Sequence, residues 1–267
     1  MSLALFTIAQ DETDSLRLWL ATHKKYAPEA NFYVLDHDSA GDAAEVLQEL
    51  SAAGVTVVPV RHALSFDYDW LARVVEDFLG FLLRSHDVVG FSEVDELLVP
   101  NTAKYATLHE LLADAAEPFY RATGYSVVHH HPAEPDMDWT QPVLAQRRHW
   151  YPTQRYSKIC LARHRVFYSR GFHAAHNVSD AQESHPDLLC VHLHQADYKT
   201  TLMRHHRNAG RIWDGRFRIS PEGVHQRLDN PADLERYLLA DLDAPEQFAT
   251  LRAIPEQYKQ YRICLNP

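Results

Sequence analysis

The sequence is poor in cysteine and has no long apolar run. Its three cysteines, Cys160, Cys190 and Cys264, have neither a Cys-x-x-Cys spacing nor the even count typical of a disulfide framework. An odd, widely spaced set is typical of a reducing compartment. No apolar run approaches the ~20 residues that span a bilayer, and the opening residues lack the basic start of a signal peptide. We therefore expect a cytoplasmic protein without a membrane span.

Positive charge and glycine are scarce as well. The chain has 26 Lys and Arg residues against 36 Asp and Glu, which gives a formal net charge of -10. This balance disfavours an extended nucleic-acid surface, which needs a basic field, although it leaves room for a small basic site. Only 9 glycines are present, and no Gly-x-Gly-x-x-Gly motif follows the first apolar run. That absence weighs against an NAD or FAD site.

Apolar runs and amphipathic patterns alternate through the first hundred residues. The predicted strands are 3–9, 31–36, 55–60 and one within 87–100, and the predicted helices between them are 14–27, 39–54 and 69–85. Strands and helices in regular alternation are the signature of a parallel, doubly wound sheet. The sequence therefore predicts an α/β fold with a Rossmann-like mixed sheet, mostly parallel, flanked by helices.

From about residue 118 the pattern loosens, and histidine, proline and aromatic residues become frequent. Short strand-like runs are predicted at 159–163, 165–169 and 188–195, followed by a helix at 197–211. Few linker-like stretches separate the two halves of the chain. We therefore predict a single domain over 1–267, with a helical C-terminal tail over 211–267.

Acidic side chains follow three of the predicted strands. The three pairs are Asp11 and Glu12, Asp36 and Asp38, and Glu93 and Asp95. In doubly wound sheets ligands bind beyond the carboxyl ends of the strands. Carboxylates that converge there repel one another, so a cation or the hydroxyl groups of a sugar nucleotide are their natural partners.

The segment FSEVDELLVP, residues 91–100, carries the densest of these pairs. Glu93 and Asp95 are two residues apart, so on an extended backbone both point to the same side and can share one divalent ion. Hard oxygen ligands suit Mg²⁺ or Mn²⁺, which would bridge the phosphates of a nucleoside diphosphate. The alternative is a strand-end turn with solvated acids.

Longer segments carry a resemblance to a known family. QDETDSLRLWLATHKKYAPEANFYVLDHDSAGDAAEVL, residues 10–47, resembles the opening of glycosyltransferase family 2, and especially its family-92-like branch. FSEVDELLVP is similar to the branch's Asp-x-Asp-Glu-(Phe/Leu)-Leu-x-Pro metal motif, with Glu93 in place of the first Asp. YSKICLARHRVFYSRGFHAAH, residues 156–176, resembles a segment in which Lys158, Gly171 and His173 match. VHLHQADYKTTLMRHHR, residues 191–207, resembles the entry to the closing helix at His194 and Lys199.

The resemblance covers roughly residues 3–210 and implies a GT-A fold. It implies an inverting transfer of a hexose or pentose from a nucleoside-diphosphate donor, with a UDP-sugar expected, to a glycan or other hydroxyl acceptor, dependent on Mn²⁺ or Mg²⁺. Residues 1–100 would bind the nucleotide sugar, and 101–210 would supply the metal and acceptor half. Asp36 would face the base or ribose, Glu12 the nucleotide, and Asp95 the metal.

The candidate binding residues fall into two groups. The expected donor-binding set is Asp11, Glu12, Asp36, Asp38 and Lys158, and the expected metal set is Glu93, Asp95 and His194. Lys158 would add a point charge on the phosphates, unless it is an ordinary surface lysine. His192 and His194 alternate on a presumed strand and face one side, so either could complete the metal site or be structural.

The base that activates the acceptor hydroxyl has two kinds of candidate. His173 has a side-chain pKa suited to that task. Inverting transferases more often use a carboxylate, and Glu134, Asp136 and Asp138 lie in the matching half of the chain. The sequence leaves the choice open. The run of three histidines at 129–131 is interpreted as loop polarity, because consecutive side chains cannot face one ion from a strand.

Two other functions compete with sugar transfer. A nucleotidyltransferase would also use paired acids and Mg²⁺, but normally with a Gly-rich or basic loop after the first strand, which TIAQDE does not offer. A non-catalytic sugar- or nucleotide-binding module is the second alternative, with Glu93 marking a degenerate metal site.

Overall fold

The computed structural model describes residues 1–114, 116–131, 133–179, 181–212, 228, 230, 232–233 and 251–260. Its strands are β1 Leu3–Ala9, β2 Asn31–Asp36, β3 Thr56–Pro59, β4 Val88–Phe91, β5 Glu96–Pro100, β6 Phe119–Val128, β7 His149–Pro152, β8 Ile159–Ala162, β9 His185–His192 and β10 Arg252–Ala253. Its helices are α1 Asp14–Tyr26, α2 Asp42–Ala52, α3 Tyr68–Leu82, α4 Leu108–Asp114 and α5 Tyr198–Ala209. No helix in these ranges is long and apolar enough to cross a bilayer.

The strands form one mixed sheet. Its order is β10-β7-β6-β8-β4-β1-β2-β3, and β9 pairs with both β5 and β6. The pairs among β1 to β4 are parallel, whereas β8 runs antiparallel to β4 and β6. This arrangement confirms the predicted α/β fold with a Rossmann-like mixed sheet and flanking helices. The parallel part corresponds to the first hundred residues, where strands and helices alternate.

The crossover helices bring the carboxyl ends of the parallel strands to one edge. Ala9 at the end of β1 lies opposite Asp36 at the end of β2, and Phe6 lies opposite Phe91 of β4. Residues that follow β1, β2 and β4 therefore meet in space, although they are far apart in sequence. This edge is where an open α/β sheet binds its ligands.

Helix α1 is fixed against the segment that follows β4. Trp19 is buried on the apolar face of α1, and its indole N–H donates to Ser92 Oγ at 2.8 Å. The backbone N–H of Leu98 in β5 donates to His23 Nε2 at 3.1 Å. These two hydrogen bonds hold α1 against both ends of the turn at 92–95.

Three predicted elements differ from the structure. The strand expected within 87–100 is two strands, β4 and β5, because a turn at 92–95 interrupts it. The strand expected at 165–169 is reduced to an isolated bridge between Tyr168 and Ala175. Most of the predicted helical tail lies outside the described residues. Its segment 251–260 contains β10 and a single 3-10 turn, Glu256–Tyr258, rather than a helix.

Candidate functional site

A cavity of about 660 Å³ opens beyond the carboxyl ends of β1, β2 and β4. The turn at 92–95, the segment 170–173, the end of β9 and helix α5 complete its walls. Five residues of the predicted site line it, namely Glu12, Glu93, Asp95, His173 and His194. The location agrees with the position of ligand sites in open α/β sheets.

Asp95, His192 and His194 form a cluster in the cavity wall. Antiparallel pairing of β5 with β9 sets Glu96 opposite His192, and the Leu193 N–H donates to the Asp95 carbonyl at 2.9 Å. One nitrogen of each imidazole lies near the Asp95 Oδ2 atom, at 3.9 Å for His192 and 3.7 Å for His194. One potential ligand atom from each of the three residues lies within 4.8 Å of the others.

These three residues fit a divalent cation. The His192 nitrogen that faces Asp95 is Nε2, the buried Nδ1 atom of the same ring has no hydrogen-bond partner among the described residues, and the ring is held by stacking on Tyr156 at a centroid distance of 3.6 Å. Burial holds the pKa of His192 well below its ordinary value, so its imidazole is neutral and able to ligate. A carboxylate with two imidazoles suits a first-row transition-metal ion, because imidazole is a ligand for Zn²⁺ and Fe²⁺, whereas Mg²⁺ prefers an all-oxygen set.

Arg204 of α5 is the cation that the structure itself places beside this cluster. Its guanidinium donates to Asp95 Oδ2 at 2.7 Å and to Glu12 Oε2 at 3.1 Å. Burial would raise the pKa of Asp95, but the charge of Arg204 and the two histidines outweigh burial and hold that pKa well below its ordinary value. Burial opposes the charge of Arg204 too, but Glu12 and Asp95 raise its pKa above the ordinary value.

Glu93 and Lys158 form a separate ion pair beneath the cavity. The Lys158 ammonium lies 2.8 Å from a carboxylate oxygen of Glu93 and 2.8 Å from one of Glu96, and Lys158 is only 1% exposed. The prediction that Glu93 shares a cation with Asp95 disagrees with this geometry, because Lys158 occupies its carboxylate. Lys158 is not among the described residues that line the cavity, so the structure places it in a buried ion pair, and its contact with a diphosphate stays a prediction.

His173 is oriented as a base. Its Nδ1 atom lies 3.0 Å from the Arg155 carbonyl oxygen. Because a carbonyl only accepts, Nδ1 carries the proton and Nε2 keeps a lone pair. Burial lowers the pKa of His173, so the ring is neutral at pH 7. Gly171 has φ 70°, and a Cβ there would lie 3.3 Å from the His173 ring, which explains why a glycine precedes this histidine.

The three carboxylates considered as bases lie elsewhere. Glu134 is buried and accepts the backbone N–H groups of His130 and Arg148, at 3.0 and 3.1 Å. Asp138 is exposed and caps a turn through the Thr140 N–H, at 2.9 Å. Asp136 is exposed as well. None of the three is among the described residues that line the cavity, whereas His173 does line it; which residue acts as the base stays a prediction.

Of the acidic residues that follow β1 and β2, some line the cavity and others bond to the protein. Glu12 lines the cavity, but Asp11 accepts the Ala40 N–H at 2.9 Å and pairs with Arg211 at 2.6 Å. Burial works against ionisation of Asp11, but these partners outweigh it and lower the pKa. Asp11 therefore ties the β1 end to the β2 end and to the residue that follows α5, rather than facing a ligand.

The residue between Asp36 and Asp38 takes the position predicted for them. Asp36 accepts the Ser39 N–H at 2.9 Å, and Asp38 pairs with exposed Arg61 at 3.2 Å. His37 lines the cavity instead, and its buried Nε2 atom has no hydrogen-bond partner within the described part of the chain. The side chain that faces the cavity is thus one residue away from the predicted Asp36 and Asp38, because alternate side chains point in opposite directions at the end of the strand.

Sequence reasoning missed the arginines of α5 and the residue that follows its C-terminal end. Arg204, Arg207 and Arg211 contact the acids that follow β1, with Arg207 Nη2 lying 2.5 Å from Glu12 Oε1. Their i, i+3 and i+7 spacing was the available signal, since it predicts three cations on one side of the chain even though Arg211 lies two residues beyond α5. Three arginines on one side of the chain require a partner of opposite charge or an anionic ligand.

Comparison with known proteins gives structural neighbours only. No protein-family model matches the chain, and no curated protein matches it in sequence, so the resemblance to family 2 stays a prediction. Apo-form GlyE, a glycosyltransferase of Streptococcus pneumoniae TIGR4, is 12% identical over 46% of this chain and 29% of its own, with a TM-score of 0.31. S. aureus TarS 1–349 is 10% identical over 91% and 83%, with a TM-score of 0.40.

A third neighbour is the mannosyltransferase PcManGT of Pyrobaculum calidifontis in complex with GDP-Man and Mn²⁺. It is 11% identical over 92% of this chain and 72% of its own, with a TM-score of 0.40. The neighbours are glycosyltransferases. Their superpositions are loose, so neither donor, metal nor mechanism is transferred from them to this chain.

Proposed function

We propose that this protein is a glycosyltransferase that moves a sugar from a nucleoside-diphosphate donor to an acceptor hydroxyl. The observation that carries the proposal is a convergence within one cavity. A cluster fit for a divalent cation, Asp95 with His192 and His194, and an oriented neutral base, His173, line the same walls. The motifs that resemble glycosyltransferase family 2 supply three of these four residues, namely Asp95, His173 and His194.

On the donor side, Asp95, His192 and His194 would hold the cation, and Mn²⁺ is the proposed ion because the two imidazole ligands suit a transition metal better than Mg²⁺. When bound, the cation offsets the negative charge that develops on the departing diphosphate. Glu12 and His37 face the nucleotide, and a UDP-sugar is the proposed donor. Residues 1–100 form the donor half in this scheme, and 101–210 form the acceptor half.

On the acceptor side, His173 Nε2 accepts the proton of the acceptor hydroxyl. The freed oxygen attacks the anomeric carbon, the new carbon–oxygen bond forms, and the bond to the diphosphate breaks with its electron pair. A single displacement of this kind inverts the anomeric centre, whether the sugar is a hexose or a pentose. The acceptor is a glycan or another hydroxyl compound, and the cytoplasmic location stays a prediction from cysteine usage.

The test is a panel of sugar nucleotides incubated with the full-length chain, with Mn²⁺ or with EDTA. We expect one donor to release its nucleoside diphosphate in the presence of Mn²⁺ and not in EDTA. Release of pyrophosphate from a nucleoside triphosphate and a sugar phosphate would favour the nucleotidyltransferase alternative instead. Tight donor binding without release, with any acceptor of a glycan panel, would favour the binding module.

A further inference from the structure

Arg204 is nearly enclosed by polar partners from three elements. Its side chain is 12% exposed, and it donates to Asp95 in the turn after β4 and to Glu12 and Ser15 at the start of α1. A fourth contact, of 3.4 Å, joins its guanidinium to His194 Nδ1 beyond β9. The guanidinium therefore contacts two of the three residues that form the cation cluster.

A divalent cation and this guanidinium cannot both keep these contacts. Arg204 Nη1 lies 2.7 Å from Asp95 Oδ2, the same oxygen that faces His192 and His194. A cation bound to that oxygen lies about 2 Å from it, which brings two positive groups within a few ångströms in a buried site. Their repulsion is strong there because the surroundings screen it poorly.

A displaced Arg204 can turn into the cavity. It lines the cavity in its present position, and the rest of its helix face is occupied by Arg207 and its contacts with Glu12. In the cavity, the planar fork of a guanidinium matches the paired oxygens of a phosphate group. The anion that fits the freed side chain is therefore the donor diphosphate.

We infer that Arg204 and a divalent cation are alternative partners of Asp95. In the cation-free chain Arg204 neutralises Asp95 and holds α1, the β4–β5 turn and α5 together. The cation takes over Asp95, and Arg204 then binds the diphosphate. This inference rests on the cation site of the proposed function and adds an exchange of counter-ions to it.

The test begins with isothermal titration of Mn²⁺ into the full-length wild-type chain and three variants. Arg204→Gln removes the competing charge, so we expect Mn²⁺ to bind about tenfold tighter, the effect of one charged hydrogen bond. Arg204→Lys keeps a positive charge and stays near wild type. Arg207→Gln is the matched control, because among the described residues Arg207 bonds Glu12 and the Asp11 carbonyl rather than Asp95, His192 or His194, and its Mn²⁺ affinity stays near wild type.

The second arm measures binding of UDP and GDP at saturating Mn²⁺. Here Arg204→Gln is expected to bind the nucleoside diphosphate about tenfold more weakly, since its guanidinium no longer reaches the phosphates. Opposite signs in the two arms distinguish exchange from a structural role, which would weaken both. Arginine side-chain NMR of the wild type with diamagnetic Zn²⁺ needs no variant, and a shift of the buried guanidinium signal is expected.

Three results would overturn the inference. The first is that Mn²⁺ binds no tighter to Arg204→Gln than to wild type. The second is that Arg204→Gln and Arg207→Gln gain the same affinity for Mn²⁺. The third is that neither wild type nor Arg204→Gln binds Mn²⁺. The proposed function fails by a different result, namely no binding of any nucleoside diphosphate or sugar nucleotide to the wild type at any Mn²⁺ concentration.

Discussion

Two buried ionic clusters flank helix α5, and they differ in how fully their polar atoms are bonded. The cavity cluster consists of Glu12, Asp95, His192, His194 and Arg204. The anchoring cluster lies at the start of α5 and consists of His129, Glu134, Arg147 and Asp197. Both combine carboxylates, imidazoles and an arginine, so composition does not separate them.

The anchoring cluster is saturated with protein partners. Arg147 is 1% exposed, and its guanidinium donates to the carbonyls of Pro135, Gln146 and Ala196 and to the Asp197 carboxylate. Asp197 in turn accepts the Thr200 N–H at 2.9 Å as the N-cap of α5. A cluster bonded in this way stabilises the fold and leaves no donor or acceptor for a ligand.

The cavity cluster, in contrast, borders open space. Its members line the cavity, and the Nδ1 atom of His192 has no partner among the described residues. Buried polar atoms without partners are rare in native proteins, because each costs free energy. The two clusters therefore differ in unsatisfied hydrogen-bonding capacity rather than in charge or burial.

The largest expected effect is the loss of sugar transfer in the Asp95→Asn variant. The variant loses a charged cation ligand, so sugar transfer is expected to fall about a thousandfold, or about 4 kcal/mol of transition-state stabilisation. Asp138→Asn is the control, since Asp138 is exposed outside the cavity, and its rate is expected to equal wild type. Steady-state rates at saturating Mn²⁺ measure both. Equal losses in the two variants would erase the distinction between the cavity and the rest of the chain.

Arg147→Ala is expected to lower the stability of the fold rather than the rate of sugar transfer. Removing this guanidinium leaves Asp197 buried without its charge partner, which is expected to lower the free energy of unfolding by about 3 kcal/mol. Neighbouring Arg148 is the control, because its side chain is 70% exposed and Arg148→Ala should change stability by less than about 0.5 kcal/mol. Urea denaturation measures the difference. Unchanged stability in Arg147→Ala would remove the anchoring role.

Whether a feature of the fold or of the site could be predicted from the sequence depends on how far apart in sequence the interacting residues lie. The parallel half of the sheet and the cavity residues Glu12 and Asp95 follow from strand periodicity, because parallel strands end at one edge, whereas His194 was predicted from the resemblance of residues 191–207. Contacts between residues that are far apart in sequence do not follow from such a pattern. Lys158 lies 65 residues from Glu93, and Arg204 lies 109 residues from Asp95.

The base was undecided for a related reason. Glu134, Asp136, Asp138 and His173 all lie in the acceptor half, and nothing in their local sequence shows which of them faces the cavity. Orientation depends on the Arg155 carbonyl, which holds the His173 ring. A carbonyl belongs to every residue, so no sequence pattern marks that contact.

His173→Gln tests the base and is expected to slow transfer about a hundredfold. The base acts in its neutral form, and burial lowers the pKa of His173 below the ordinary 6.5. Activity of the wild type is therefore expected to persist below pH 6.5 and to fall as pH drops through that lowered pKa. The pH profile of kcat/KM measures this acid limb, which His173→Gln should lack. An unchanged limb in the variant would assign the titration to another group.

The smallest expected effect is that of Asp197→Asn on stability. Burial opposes ionisation of Asp197, but hydrogen bonds from Thr200 and Met137 outweigh it and lower the pKa below 3.8. The ionised form thus stabilises the fold above that pH, and this stabilisation is lost as pH falls through the lowered pKa. We expect the variant to be about 1 kcal/mol less stable at pH 7 and closer to wild type at pH 3. A pH-independent difference, measured by denaturation, would contradict this.

The most direct test of the cavity cluster is a crystal of the wild-type chain soaked in Mn²⁺, with data collected at the manganese absorption edge. The account expects one anomalous peak bonded to Asp95, His192 and His194, with Arg204 withdrawn from Asp95. No peak there at saturating Mn²⁺, or a peak elsewhere with the Arg204–Asp95 contact intact, would contradict the claim that these three residues hold the cation.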